Sequence, residues 1–498
     1  MTLLRSASCL AFACALAAPA LAQDRVTMVE WAGVGANWQL HSDDSYLGSR
    51  AGCYEMLTKV SQDVGVEPML ATSWTQTTPT TWDFVIREGV QFQDGTPLDA
   101  AAVARSLTFL LDAPVPARNF SRKFVEKVEA TGPMTVTITT KDVVANLPGR
   151  LAPPATAILS AAAYKDGAVS PIGTCTGPFE ITAVDPEQGL TVVANPDYWG
   201  GAPKLAGAEV RFIPNADTRA TMIRSGEAQI ARMVPPYLVA QLQNDASMVI
   251  DEVEAPRIVE LLLNNARPPF NDERVRQAVK LAVDTAGISA AVYEGLAPVA
   301  GGPFREGEPW APAATPAVTA DLAKAAALLK EAGVDPSSLK LTLLAYTLRK
   351  EFRDLAEVIQ AMLGEIGIPV DVRIAEYEAI EPQLLSGEFD LALMSRGYLT
   401  DAPEPAAFLT ADYSCEGGYN ISHFCDPEVD AKLKAISAEA DPAARNVGYA
   451  EVTQGIYDKA VTVFLVNEPV FDIVSAKVGG YRPHPLNYYA LTTEVGLD

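Results

Sequence analysis

The fold is decided by one stretch of the chain, LKLTLLAYTLRKEFRDLAEVIQAMLGEIGIPVDVRIAEYEAIEPQLLSGEFDLALMSRGY, residues 339–398. Apolar runs alternate in it with helical patterns, the runs being 339–346, 369–377 and 389–398 and the helical patterns 351–367 and 379–387. Nearly continuous apolar strands between helices predict an α/β fold with a parallel sheet covered on both faces. Ligands of such sheets bind at the carboxyl ends of the strands. We therefore expect residues 396–401 to belong to a binding site.

The chain before this stretch also alternates between strands and helices. TWDFVIREGVQFQDG, residues 81–95, predicts a hairpin with a turn at Asp94-Gly95, and AAVARSLTFLLD, residues 101–112, predicts a helix after it. NPDYWGGAP, residues 195–203, lies between two predicted strands. Its prolines end both strands and its glycines allow a left-handed bend. We expect its two aromatic rings to pack this turn against the protein.

Length and charge restrict the class of protein. The chain has 498 residues, enough for two or three domains, and a formal net charge of −24. It contains no basic run of five to eight residues. Nucleic acid and anionic membrane surfaces are therefore not expected as partners.

The N-terminus reads as an export signal. MTLLRSASCLAFACALAAPALAQ, residues 1–23, carries one positive charge, an apolar run and small residues at Ala20 and Ala22. This pattern predicts a signal peptide over residues 1–22 and a mature chain that begins at Gln23 and carries no lipid. No later segment reaches about 18 uncharged apolar residues, which predicts a soluble, exported mature protein.

Four cysteines remain after the signal peptide, and an even number in an exported chain suggests disulfides. Cys415 and Cys425 are close in sequence, so we expect them to be bonded to each other. Cys53 and Cys175 would then form the second bond, with two buried free thiols as the alternative.

Catalytic patterns are weak in this sequence. It has three histidines and lacks the HExxH, CxxC, GxSxG and P-loop motifs. Asp43-Asp44 reads as a solvated loop. His423 is a weak candidate for a metal ligand and reads more readily as a surface histidine. We expect neither a catalytic site nor a cofactor.

Several segments, taken together and in this order, resemble the extracytoplasmic solute-binding proteins of ABC importers, in the class that carries dipeptides, oligopeptides and nickel chelates. They are YEML (54–57), PMLATSW (68–74), FVIREGVQFQDGTPLDAAAVARSL (84–107), GTCTGPFEI (173–181), NPDYWGGAPKLAGAEVRFIPNADTRATMIRSGEAQI (195–230), LLLNNARPPFNDERVRQAVKLAVD (261–284), AKAAALLKEAG (323–333), GEFDLALMSRGYLTDAPEPAAFL (387–409), YNISHFCDPEVDAKL (419–433) and VGGYRPHPLNYYA (478–490).

The resemblance implies an α/β, two-lobed periplasmic-binding-protein fold of class II, in its large three-subdomain form, with mixed sheets and a ligand cleft between the lobes. It implies lobe I over residues 23–263, with an extra subdomain at about 53–171, lobe II over 264–472, and a return to lobe I over 473–498. The lobe crossovers are expected near 262–265 and 470–474.

The resemblance also implies where a ligand binds. Peptide binders of this class carry the pattern Gly-Trp-x-x-Asp, whose aspartate binds the α-ammonium of the peptide. This chain has Gly397-Tyr398-Leu399-Thr400-Asp401, with Tyr398 at the tryptophan position. The predicted ligand-binding residues are Asp401, Tyr398, Gly397, Leu399 and Arg396.

The implied function is that of a monomeric binding component that delivers a peptide or peptide-like amine to the permease subunits of an ABC importer. A nickel or other metal chelate, an opine and other small solutes remain alternatives within the class. A secreted enzyme or an adhesin on the same scaffold is the alternative outside it.

Overall fold

The structure is a computed structural model that describes residues 24–165, 167–253, 255–313 and 315–498. The predicted signal peptide and the predicted first mature residue, Gln23, lie outside these residues. None of the helices in the described ranges is both long enough and apolar enough to cross a bilayer.

The strands of the described residues, in chain order, are β1 (Arg25–Glu30), β2 (Thr58–Val60), β3 (Val66–Pro68), β4 (Ala71–Thr78), β5 (Thr81–Ile86), β6 (Val125–Gly132), β7 (Thr135–Thr140), β8 (Tyr164–Lys165), β9 (Ala168–Val169), β10 (Phe179–Asp185), β11 (Gly189–Ala194), β12 (Gly207–Phe212), β13 (Ile230–Ala231), β14 (Met248–Val253), β15 (Arg257–Leu263), β16 (Leu341–Tyr346), β17 (Val370–Ala375), β18 (Leu391–Gly397), β19 (Thr462–Asn467), β20 (Val470–Ser475), β21 (Val478–Gly479) and β22 (Gly496–Leu497).

The α-helices of the same ranges are α1 (Asp44–Arg50), α2 (Ala100–Leu111), α3 (Leu147–Arg150), α4 (Ala216–Ser225), α5 (Pro236–Leu242), α6 (Glu273–Ala282), α7 (Thr285–Val292), α8 (Leu322–Glu331), α9 (Glu351–Glu365), α10 (Tyr377–Ser386), α11 (Ala406–Tyr413), α12 (Pro427–Ala438) and α13 (Pro442–Asp458).

The stretch at 339–398 forms the β-α-β pattern expected from its sequence. It supplies three strands of a five-stranded sheet in the order β17-β16-β18-β15-β19. β16 is parallel to β17 and to β18. β15 is antiparallel to both of its neighbours, so the sheet as a whole is mixed. Most residues of β16 and β18 are buried, as the apolar runs predicted.

A seven-stranded sheet, in the order β10-β11-β12-β1-β13-β20-β14, contains strands from both ends of the described chain. β1 lies between β12 and β13 and is parallel to both. β20 joins the same sheet after the chain has passed through the five-stranded sheet. Two sheets linked in this way give the two-lobed architecture that the sequence predicted.

The lobe boundaries stay a prediction, and sheet membership offers one basis for placing them. The chain leaves the seven-stranded sheet at Val253 and enters the five-stranded sheet at Arg257. It leaves that sheet at Asn467 and returns at Val470. On this basis we propose the first crossover just before Arg257, rather than at 262–265, and the second between 467 and 470.

The strand and the helix predicted within residues 81–112 are confirmed. The strand pairs with partners other than those of the predicted hairpin. β5 buries Trp82, Phe84 and Ile86 on one face, as their alternation predicted. It pairs with β4 and β7 in a four-stranded antiparallel sheet, whereas the Asp94-Gly95 turn closes only an isolated bridge. The reason is Gly89, whose φ of 78° turns the chain out of the sheet before a second strand can form.

Both predicted disulfides are formed. The Cα atoms of Cys415 and Cys425 lie 4.5 Å apart, and those of Cys53 and Cys175 lie 5.4 Å apart. The first bond closes the short loop between α11 and α12. The second connects the end of α1 to the segment before β10 and closes a loop 122 residues long.

The turn NPDYWGGAP is held by a buried carboxylate. Tyr198 donates its hydroxyl proton to Glu55 Oε1, and Trp199 donates its Nε1–H to Glu55 Oε2, both at 2.8 Å. The guanidinium of Arg87 lies 4.2 Å from the ring of Trp199. Burial raises the pKa of Glu55 to about 7, while the bonds from Trp199 and Tyr198 oppose that rise. Tyr198 and Trp199 therefore pack the turn between β11 and β12 of the seven-stranded sheet against the protein, as expected.

Substitution of Tyr198 tests this role. Tyr198→Phe leaves a buried carboxylate oxygen without its donor, so we expect the free energy of unfolding to fall by about 1–3 kcal/mol. Tyr237→Phe is the matched control, because its hydroxyl bonds Asp217 at the surface, and it should cost less than about 0.5 kcal/mol. Urea unfolding of both variants measures the difference, and equal small effects would contradict the role assigned to the turn.

Candidate functional site

Four strands of the five-stranded sheet meet at one edge. β16 and β18 end there, and polar residues follow each of them. β15 begins at the same edge, with Arg257 opposite Gly397, and β19 ends there, with Asn467 opposite Ile258. This is the carboxyl edge of the parallel strands, where ligands of α/β sheets bind. The predicted site residues 396–401 lie on it.

Asp401 lies in the loop after β18 and faces residues from the first part of the chain. Its Oδ1 accepts a hydrogen bond of 3.1 Å from Nε of Arg118, in the connection between α2 and β6. The carbonyl oxygen of the preceding residue, Thr400, accepts bonds from the hydroxyls of Tyr488 at 2.7 Å and Tyr46 at 3.3 Å. The loop therefore closes against groups outside the five-stranded sheet, and the Asp401 side chain is only 10 % exposed.

Arg396 is held by a buried partner. Its Nε and Nη2 donate to the two carboxylate oxygens of Asp412, each at 2.8 Å. The guanidinium also lies 4.8 Å from the ring of Tyr419. A bidentate pair of this kind fixes the direction of both side chains. Contact of Arg396 with a ligand stays a prediction, and the geometry favours a structural role.

Tyr398 and Leu399 belong to the hydrophobic core. The Tyr398 ring packs against Phe304 and Phe408, and its hydroxyl donates to both carboxylate oxygens of Glu308, at 2.8 and 3.0 Å. Leu399 is fully buried. Ligand contact by these two side chains also stays a prediction. Their packing fixes the position of the backbone that leads to Asp401.

The backbone of Gly397 and Tyr398 is tightly placed. A side-chain carbon at Gly397 would collide with Oγ1 of Thr400, whose hydroxyl donates to the Gly397 carbonyl at 3.1 Å. The N–H of Tyr398 donates to the carbonyl of Pro256 at 3.1 Å. A larger residue at Gly397 would therefore displace the Thr400 hydroxyl from the turn that leads from β18 to Asp401.

A second charged group lies on the same edge. Arg349 Nη1 lies 2.5 Å from Oε1 of Glu468, and Arg257 Nε lies 3.9 Å from Oε2 of the same residue. Arg257 also donates to Oγ of Ser395 at 2.9 Å, and that hydroxyl bonds Glu468. The guanidinium groups of Arg349 and Arg257 therefore share the buried carboxylate of Glu468. Burial also raises the pKa of the nearby Glu351.

Glu260 lies behind this edge, in β15, and is fully buried. Burial raises its pKa to about 8, the charge of Asp412 adds to the rise, and Arg396 opposes it. The hydroxyl of Tyr413 lies 3.5 Å from its Oε2. Burial therefore favours the protonated form of Glu260 at neutral pH.

His423 lies away from this edge. Its Nε2 is 3.1 Å from the carbonyl oxygen of Leu384, and its ring sits against Gly387. The part of the chain that the structure describes contains no group of three or more histidine, cysteine or acidic side chains placed to hold a metal ion. A metal role for His423 stays a prediction.

A buried cluster of charged residues, which the sequence did not single out, lies at the seven-stranded sheet. Arg232 lies 2.7 Å from Glu30 and 3.3 Å from Asp472, and Arg50, at the end of α1, lies 3.0 Å from Glu30. These four side chains, like Arg118, come from distant parts of the chain. Only spacing within a segment is visible in a sequence, and their pairing has no such signal.

Comparison with known proteins gives a consistent family. A model of the bacterial extracellular solute-binding proteins, family 5, matches residues 65–420. A probable di/tripeptide-binding protein 5 of Pseudomonas aeruginosa is 31 % identical over 322 residues, which are 64 % of this chain and 60 % of that protein. The glutathione-binding protein GsiB of Shigella dysenteriae is 28 % identical over 451 residues, 86 % of each chain.

A solved structure shares the fold. NikA from Brucella suis, in complex with Fe(III)-EDTA, superimposes with a TM-score of 0.85 over 95 % of this chain and 100 % of its own, at 23 % identity. At that identity the likeness concerns the architecture.

The protonated state of Glu260 predicts a pH-dependent stability. Its pKa is higher in the folded chain than in the unfolded chain, so between about pH 4.5 and 8 the unfolded chain releases a proton that the folded chain keeps. The free energy of unfolding therefore loses a contribution as the pH rises through this window. Glu260→Gln removes that loss.

We expect Glu260→Gln to gain stability over the wild type by about 1–4 kcal/mol between pH 5 and pH 8. Denaturant unfolding at four pH values measures the difference. Glu357→Gln, at an exposed position of α9, is the control and should show no such trend. Parallel stability curves for wild type and Glu260→Gln would contradict the protonated state.

Proposed function

Because the chain belongs to the bacterial extracellular solute-binding proteins of family 5, we propose that it binds a short peptide, or a peptide-like solute with a free amine, for an ABC importer. In this proposal it works in the periplasm after export and passes its ligand to the membrane permease. It acts by binding and by closure of its lobes, without catalysis.

Asp401 is the observation that carries the proposal. It is a carboxylate with little exposure, placed at the carboxyl edge of the five-stranded sheet and facing the other part of the molecule. A carboxylate enclosed in this way needs a cation, because leaving it unpaired costs several kcal/mol. The α-ammonium of a peptide satisfies the same oxygens with charge-assisted hydrogen bonds.

The second charged group suits the other end of such a ligand. Arg257 and Arg349 present two guanidinium groups against the single carboxylate of Glu468. Their side chains are partly exposed, whereas Glu468 is buried. Guanidinium groups bind carboxylates in a planar, two-bond geometry. We propose that this group receives the carboxylate of the ligand, so that a dipolar solute lies along the edge from Asp401 to Arg349.

The relatives support the ligand class. A di/tripeptide-binding protein and a glutathione-binding protein both take ligands that combine an ammonium with carboxylates. The chain covers 86 % of the second relative, so the likeness extends over both sheets. Metal chelates and opines remain the alternatives within the family.

Lobe closure follows from where the contacts lie. Tyr46, Tyr488 and Arg118 touch the 400–401 loop from outside its sheet, and Lys350 reaches Asp217 at 2.9 Å. A ligand that bonds to both sides at once favours the closed arrangement by the difference in its affinity for the two states.

The substitution Asp401→Asn tests the proposal, because it keeps the shape of the side chain and removes its charge. We expect affinity for an amine-bearing ligand to fall by about 2–5 kcal/mol, with the fold retained. Titration calorimetry would use dialanine, trialanine, glutathione, their N-acetylated forms and a nickel–histidine complex. Asp354→Asn, exposed on α9, is the matched control and should bind as the wild type does.

Wild type should bind the free peptides and reject the N-acetylated ones, and Asp401→Asn should lose that discrimination. Equal affinity of the wild type for free and acetylated peptides, or binding of the nickel complex alone, would reject the proposal.

A further inference from the structure

The two partners of the Arg118–Asp401 ion pair differ in their exposure to solvent. The Asp401 side chain is 10 % exposed, whereas that of Arg118 is 56 % exposed. They share one bond, from Nε to Oδ1, in contrast to the two bonds that join Arg396 to Asp412. The carboxylate therefore depends on a cation, while the guanidinium would be well solvated without this carboxylate.

The backbone beneath Arg118 is fixed. Ala117, Asn119 and Phe120 are all buried, and Nδ2 of Asn119 donates to the carbonyl of Arg150 at 3.0 Å. Arg118 is thus a long, solvated side chain on a rigid base, aimed at Asp401 from outside its sheet. It can leave the carboxylate by rotating its side chain, with no change of backbone.

A ligand ammonium and the Arg118 guanidinium are both cations, and both would bind the carboxylate of Asp401. Two cations within hydrogen-bonding distance of one poorly solvated carboxylate repel each other, and the second gains less than the first. Binding of the ammonium at Asp401 and retention of the Arg118 bond therefore oppose each other.

Resting on the function proposed above, we propose that Arg118 takes the place of the ligand ammonium in the empty cleft and must leave Asp401 when ligand binds. It then determines specificity, because only a solute with its own cation can replace it. A neutral or N-blocked solute that displaced Arg118 would leave Asp401 without a cation.

The test is the affinity of Arg118→Met for trialanine, measured by titration calorimetry. Removal of the competing cation should tighten binding by about two- to fivefold, the range of a partly exposed ion pair. Arg122→Met is the matched control, since Arg122 lies on the same connection and pairs with Asp112 at 2.7 Å. It should change affinity less than twofold. Unchanged or weaker binding by Arg118→Met would overturn the inference.

A double-mutant cycle separates this inference from the proposed function. The gain from Arg118→Met should vanish in the Asp401→Asn background, because Asp401 is the group for which the cations compete. Thermal melts of the same four ligand-free proteins should show that the effects of the two substitutions are not additive.

If no peptide of the panel binds the wild type, the proposed function is rejected. The ligand-free melts then test by themselves whether Arg118 and Asp401 interact. Additive effects in those melts would show that Arg118 does not hold Asp401, and would overturn the inference whatever the ligand.

Discussion

Arg396 donates two bonds to Asp412 where β18 ends, and this buried pair determines the charges around it. A buried guanidinium without a carboxylate would be costly, so both partners are committed to each other. Burial raises the pKa of Glu260, which lies behind this pair, and the charge of Asp412 adds to that rise. Because Arg396 is already bonded, Asp401, five residues further along, must take its cation from elsewhere. The remaining properties of the edge follow from these two consequences.

The cation that pairs with Asp401 comes from a distant part of the chain. In this structure it is Arg118, and in our proposal a ligand ammonium replaces it. The same loop offers the Thr400 carbonyl to two tyrosine hydroxyls, so one short segment carries several of the contacts that reach across from outside its sheet. A binding protein of this kind needs differential affinity between its open and closed forms, and a carboxylate that pairs with a cation from outside its own sheet can provide it.

The sequence predicted the architecture because the signals for it are local. Alternating apolar runs and helical patterns predicted the 339–398 unit. Short spacing predicted the Cys415–Cys425 bond, and the Cys53–Cys175 bond followed only as the remaining pair, with free thiols as the alternative. The site was predictable only as a segment. Glycine, tyrosine and aspartate at 397–401 could be placed at a strand end, but nothing local tells a core ring from a binding ring, and Tyr398 lies in the core beside Phe304. Arg118 could not be found, because its partner is 283 residues away.

The most direct test of the central claim is a crystal structure of the protein with a bound peptide that has a free N-terminus. Our account predicts the peptide nitrogen within about 3 Å of an Asp401 carboxylate oxygen. It also predicts that the Arg118 guanidinium has moved off that carboxylate while the backbone of Asn119 and Phe120 keeps its place. A peptide bound with Arg118 still paired to Asp401, and with its ammonium held elsewhere, would contradict the account.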